Sequence, residues 1–133
     1  MALEMKAVLA MVLALSSFVS LSTSAIPGTA TFYTQYVPSA CFGYEDEGTM
    51  IAAASDSLWN DGAVCGRMFR ITCTGGTATD NGAAQPCKGG SITVKIVDRC
   101  PSTACHATLY LSQQAFSAIA DPVQGEINID YTP

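Results

Sequence analysis

Six cysteines in a chain of 133 residues constrain this fold more than any other feature, because all six follow an apolar leader. They are Cys41, Cys65, Cys73, Cys87, Cys100 and Cys105. An even count over so short a stretch reads as three disulfides, and six cysteines allow fifteen pairings among which spacing alone does not choose. A metal site built on Cys100, Cys105 and His106 is the competing chemistry. With one histidine in the chain and an oxidising export route, bridges are favoured and neither a metal nor any other cofactor is expected.

The leader supports that route. It reads MALEMKAVLAMVLALSSFVSLSTSA, with Lys6 near a positive start and an apolar run from Ala7 to about Leu21. The run is short for a bilayer span, and the small residues Thr23 and Ala25 fit a cleavage rule. The expectation is a signal peptide over 1–25, with cutting after Ser24 as the near alternative, and one domain over 26–133. The remaining chain has no second long apolar run, so no membrane insertion is expected after cleavage. The net charge of −5 is unchanged when Glu4 and Lys6 leave with the leader. An acidic chain without a Lys/Arg cluster argues against nucleic acid and anionic membranes as partners. No N-x-S/T sequon occurs.

Apolar alternation predicts mostly β structure. Gly28–Tyr33 (GTATFY) reads as a first strand, and Met50–Ser55 (MIAAAS) as a short apolar one. Ser55 is positioned to cap one turn of helix, and Asn60-Asp61-Gly62 is a turn signal. In Gly66–Cys73, Met68, Arg70 and Thr72 share one face, while Arg67, Phe69 and Ile71 share the other. Thr74 to Gly90 reads as a loop held at Cys87. Ser91–Asp98 is the clearest strand, with Ile92, Val94 and Ile96 facing one way and Thr93, Lys95 and Val97 the other. TLYL is a short strand. Ser112 caps a helix over Ser112–Ala120 whose stripe is Phe116, Ile119 and Ala120, and Pro122 and Gly125 end it. GEINIDY closes the chain, with Ile127, Ile129 and Tyr131 on one face. Short strands with one late helix suggest a small closed barrel, which removes exposed edges.

GTATFY, AASDSLWNDGAVCG, FRITC, VKIVDRCP and LYLSQQAFSAIA follow one another in this order. Together they resemble the barwin/expansin group of double-psi β-barrels, and within it the plant natriuretic peptide-like, or endoglucanase-45-like domain, proteins. The likeness covers Gly28 to Tyr131. It implies a mainly β, six-stranded double-psi barrel with one short late helix and three disulfides: Cys41–Cys65, Cys73–Cys87 and Cys100–Cys105. Met68 stands where expansins usually have a further cysteine, and a second, carbohydrate-binding domain like that of expansins is not expected.

Glycosidic hydrolysis by inversion needs two carboxyl groups, one acid and one base. The family-45 endoglucanases that share this barrel have an Asp just after the first strand's aromatic and another before a Leu-Ser. The resemblance puts those positions at Thr34 and at Tyr110 in Thr108-Leu109-Tyr110, so both carboxylates are missing. A phenol near pKa 10 and a threonine are poor replacements. No catalytic residues are therefore assigned; there is also no G-x-S-x-G elbow and no phosphate loop.

Thr31, Tyr33, Asp98 and Tyr110 are the candidates for an open groove, since aromatics stack on sugar faces and hydroxyls bond sugar hydroxyls. Asp98 is nevertheless read first as a carboxylate fixing the backbone of the loop after its strand, with Arg99 beside it, and Trp59 reads as a packing plug. Glu45, Asp46 and Glu47 form an acidic loop. With Asn60 and Asp61 they are the candidate partner-binding surface. The resemblance implies a secreted, apoplastic, non-catalytic monomer in signalling for water and ion balance and stress, with activity tied to Cys41–Arg67. The alternative is a wall carbohydrate-binding or wall-modifying module. Expected partners are a cell-surface receptor or a wall polysaccharide.

Overall fold

The computed structural model describes residues 24–77 and 85–133. The expected leader lies outside the described residues except for Ser24 and Ala25, and part of the loop before Cys87 lies outside them too.

Six strands make the barrel: β1 (Ile26–Tyr33), β2 (Ile51–Ser55), β3 (Met68–Gly76), β4 (Ser91–Cys100), β5 (Leu109–Ser112) and β6 (Ile127–Thr132). They close in the order β1-β5-β2-β4-β3-β6. The β1/β5 and β2/β4 contacts are parallel; the other four are antiparallel. Each parallel contact joins strands far apart in sequence, so the two halves of the chain interlock.

Period-two alternation sorts the side chains. β6 alternates buried Ile127, Ile129 and Tyr131 with half-exposed partners. Ala30, Ala52, Ala54, Ile71, Val94, Ile96, Leu109 and Leu111 are fully buried in the interior. Small alanines on β2 let the strand sit deep in the sheet. The larger payload comes from Phe69, stacked on Tyr131 with centroids 5.9 Å apart, and from Phe116, tilted against Phe32 at 5.1 Å. Phe116 belongs to helix α2 (Gln113–Ile119), which buries Ala115, Phe116 and Ile119 against the barrel. Ser112 caps that helix by accepting from the Ala115 N–H, and its hydroxyl also donates to the Thr49 carbonyl.

The structure alters two local expectations. A one-turn helix α1 (Asp56–Trp59) follows β2, but the Ser55 side chain makes no capping bond; its hydroxyl pairs with that of Ser57 at 3.0 Å. Strand β3 continues to Gly76 instead of ending at Cys73, because Gly75 and Gly76 pair with Asn128 and Ile127 of β6 across a register shift. Glycine is disfavoured in strands, so composition hid that extension. Trp59 is part-buried against the core, with the Arg99 guanidinium 5.9 Å from its ring. In the Asn60-Asp61-Gly62 turn all three residues take positive φ, at 47°, 51° and 84°. Asn and Asp tolerate that region better than other non-glycine residues.

Three bridges clamp the barrel's appendages. Cys41–Cys65 ties the segment between β1 and β2 to the turn after α1, with Cα atoms 5.6 Å apart. Cys73–Cys87 ties β3 to the run before β4 at 5.5 Å, and Cys100–Cys105 closes the loop between β4 and β5. No free cysteine remains among the described residues.

Candidate functional site

Strand register brings three of the four groove candidates into one row. Thr31 on β1 pairs with Tyr110 on β5, Tyr110 pairs with Ala53 on β2, and Ala53 pairs with Asp98 on β4. Their chain neighbours Ala30, Ala52, Ala54, Leu109 and Leu111 point inward, so the row lies on the outer face of the sheet. Tyr33 is two residues beyond Thr31, on the same face, at the level of Ser112.

Asp98 reaches this face through a bulge. Ala52 pairs with Ile96 but Ala53 pairs with Asp98, which leaves Val97 as the extra residue. Unbroken alternation from Ile96 would point Asp98 into the barrel; one extra residue reverses its direction. Nothing in the run SITVKIVD announces that insertion.

Each polar group in the row is engaged by the protein itself. Asp98 Oδ1 accepts from the N–H groups of Ala40 at 2.9 Å and Arg99 at 2.8 Å. The Tyr110 hydroxyl accepts from His106 N–H at 2.9 Å and Ala107 N–H at 3.4 Å, holding the Cys100–Cys105 loop. The Thr31 hydroxyl donates to the Gly125 carbonyl. Tyr33 differs: its hydroxyl oxygen is buried and has no hydrogen-bond partner. Burial pushes that phenol well above its usual range, reinforced by the Asp98 carboxylate and by Tyr36. The two tyrosine rings meet edge to face at 5.0 Å. Tyr36 in turn accepts from Gln113 N–H at 3.0 Å, fastening the segment after β1 to the start of α2.

Thr34, at the position resembling a catalytic carboxylate, is exposed. Asp56 lies elsewhere and holds Arg99 Nε at 2.8 Å and Ser102 N–H at 2.9 Å. The Ser102 bond, then the Arg99 guanidinium, keeps its carboxyl below the usual carboxylate value.

The loop candidates separate. Glu45, Asp46 and Glu47 line a cavity of about 270 Å³ whose inner wall is Ile51 and Val97. Glu47 pairs with Lys95 at 3.2 Å, and Asp46 Oδ1 accepts from Gly48 N–H. Asn60 lines another cavity, of about 230 Å³, with Leu58, Arg67 and Phe69. Asp61 is exposed. Cys41–Cys65 joins the two segments covalently, but the acids and Asn60 do not face one pocket. Sequence reasoning missed Tyr36, Tyr44, Ile51 and Val97 as cavity walls; Tyr36, Tyr44 and Ile51 flank the acidic run in sequence, whereas Val97 comes from β4, paired with β2, and carries no local signal. Among the described residues no group of three or more His, Cys, Asp or Glu side chains is placed to hold a metal ion.

This architecture defines the chain as a double-psi β-barrel of the barwin/expansin group. The domain-family model described as "Lytic transglycolase" (DPBB_1) matches residues 51–131. An EG45-like domain containing protein of Citrus jambhiri is 57% identical over 114 residues, covering 85% of each chain. This chain belongs to the EG45-like domain proteins. Expansin-B4 of Arabidopsis thaliana is 35% identical over 80 residues, which cover 58% of this chain and 28% of that one. Among solved structures, the apo expansin of Clavibacter michiganensis superposes with a TM-score of 0.63 at 25% identity, covering 82% of this chain and 50% of its own. A mutant of that expansin was solved in complex with cellohexaose (TM-score 0.59, 24% identity, 82% and 50% covered). This chain thus spans half of that expansin.

Proposed function

We propose that the chain is a secreted, non-catalytic protein of the apoplast that acts by contact, as a monomer, in extracellular signalling of the plant natriuretic peptide kind for water and ion balance and stress. Its signal peptide is residues 1–25 and its acting domain is the barrel over 26–133. The carrying observation is the outer-face row, where Asp98 is the single carboxylate and the facing position is Tyr110. Inverting hydrolysis needs two carboxyl groups about 6.5–9.5 Å apart. With Thr31, Asp98 and Tyr110 all bonded to backbone, recognition falls to the loop of Glu45, Asp46 and Glu47 and the Asn60-Asp61 turn. Replacing Glu45, Asp46 and Glu47 by serine weakens the volume response of plant protoplasts to added protein. An unchanged dose curve removes that surface from the proposal, and reducing-sugar release from soluble glucans that Asp98→Asn abolishes overturns the non-catalytic reading.

A second reading is a wall polysaccharide module. Tyr33 and Tyr110 share the outer face, and an expansin of the same fold was solved with cellohexaose bound. Co-sedimentation with cellulose and xylan, lost in a folded Tyr110→Ala variant, selects this reading over the first.

A further inference from the structure

The cavity behind the acidic loop has a composition the signalling reading does not by itself explain. Its inner wall is apolar: Ile51 and Val97 are 2% and 1% exposed. Tyr36 and Tyr44 add aromatic sides, and Glu45 and Asp46 form an acidic rim. Glu47 has its counter-charge in Lys95. Glu45 and Asp46 belong to neither ion pair found among the described residues. Negative charge therefore stands uncompensated at the mouth of an apolar, aromatic-sided hole.

We infer that this cavity receives one cationic side chain, arginine or lysine, presented by a segment of a partner protein. The inference rests on the reading of the acidic loop as a contact surface and names what that surface grips. A long basic side chain laid across the opening matches it: its methylenes pack over Ile51 and Val97 while its charged tip lies against the Glu45 and Asp46 rim, beside Tyr44. A phosphate or an acidic sugar is repelled by the same rim, and a neutral sugar leaves its charge unused. The size agrees. About 270 Å³ falls just below the range of about 300–1,000 Å³ usual for small-molecule sites, which suits one side chain. The chain's net charge of −5 steers a basic partner toward it.

The cavity is also held in shape before anything binds. Cys41–Cys65 anchors the segment covalently, Ser39 and Gly43 exchange backbone hydrogen bonds at 2.8 and 2.9 Å, and Ala40 N–H is fixed on Asp98. A preformed pocket reduces the ordering cost of binding.

The test titrates ¹⁵N-labelled protein with N-acetyl-arginine amide, N-acetyl-norleucine amide and N-acetyl-glutamate amide, following backbone amide shifts. The arginine probe moves the amides of Tyr44, Glu45, Gly48 and Val97, the glutamate probe does not, and binding weakens as salt rises. The double variant Glu45→Gln with Asp46→Asn keeps both acceptor oxygens, including the one on Gly48 N–H, and weakens the arginine probe roughly threefold to tenfold. Equal binding of the norleucine probe, or arginine shifts confined to other surfaces, overturns the inference. If the arginine probe fails while the protoplast response still requires the loop acids, the occupant is wrong and the signalling reading stands. If the probe binds but the response ignores those acids, the pocket stands and the signalling reading falls.

Discussion

Asp98 and Tyr110 stand on the same outer face of the barrel, one strand apart on either side of Ala53, because a single extra residue in β4 turns the Asp98 side chain outward. The carboxylate then reaches across to Ala40 N–H in the segment after β1. A charge-assisted bond of this kind outweighs a neutral one. Asp98 is thereby one of the points where barrel and acidic segment are joined without sulfur, alongside the Glu47–Lys95 pair and the Cys41 N–H bond to the Val97 carbonyl.

Removing that carboxylate loosens the loop. Asp98→Ala leaves two backbone N–H groups without their acceptor and lowers unfolding free energy by about 1–2 kcal/mol. Asp98→Asn retains an acceptor oxygen and costs less. Urea unfolding of the three proteins, read at the tyrosine and tryptophan signals, orders them; equal midpoints for Asp98→Ala and the parent refute the anchor.

Tyr33 carries a buried hydroxyl with no partner. Deleting such a group removes an unsatisfied donor, so Tyr33→Phe is neutral or stabilising by up to about 1 kcal/mol at pH 7. The substitution also changes the alkaline limb. The folded phenol titrates above its unfolded value, so the folded state binds its proton longer than the unfolded state does. The contribution is whole below the ordinary phenol value near 10 and is lost as pH climbs above it. Stability of the parent therefore falls more steeply above pH 10 than that of Tyr33→Phe, as thermal melts at stepped pH will record.

Asp56 works in the opposite direction. Its folded carboxyl titrates below the unfolded value, through Ser102 N–H first and Arg99 second. The stabilisation is present above the unfolded carboxylate value and is lost as pH falls through the lowered native one. Asp56→Asn should flatten the decline of melting temperature below about pH 4. An identical acid limb in the variant assigns the decline to other carboxylates.

The bridges should differ in weight. Cys41 and Cys65 are separated by 24 residues in sequence, Cys100 and Cys105 by 5. Chain-entropy arguments give about 3.5 kcal/mol for closing the longer loop and about 2 kcal/mol for the shorter. The double serine variant at 41 and 65 therefore loses more denaturant resistance than the one at 100 and 105, and it also frees the wall of the acidic cavity. The reverse order would mean that the short loop carries native-state contacts beyond its own closure, through Tyr110.

Much of the fold was legible in the residues. The alternation in GEINIDY and SITVKIVD placed Ile127, Ile129, Val94 and Ile96 inside, and Ser112 read correctly as a helix cap because its bond to Ala115 is local. The extension of β3 through Gly75 and Gly76 was not legible, since those residues are held in the strand by β6 and not by their own preference. Ser55 had the right residue type at the right place but found Ser57 instead of a helix N–H. For the candidate site, residue type nominated Thr31, Tyr33, Asp98 and Tyr110. It did not reveal that three of them spend their polar atoms on the chain's own backbone.

By itself the sequence determined which strand faces are apolar and that six cysteines are at hand. These follow from side-chain chemistry and from the two-residue pleat, both readable within a few neighbours. Only the tertiary structure decided the parallel crossings, the bulge at Val97 that re-aims Asp98, and the cavity walled jointly by Tyr36, Tyr44, Ile51 and Val97. Those depend on partners as distant in sequence as Thr29 and Thr108, 79 residues apart and hydrogen-bonded at 3.0 Å. Local pattern sets what a strand can bury, whereas closure of the barrel sets which groups from remote segments must share one surface.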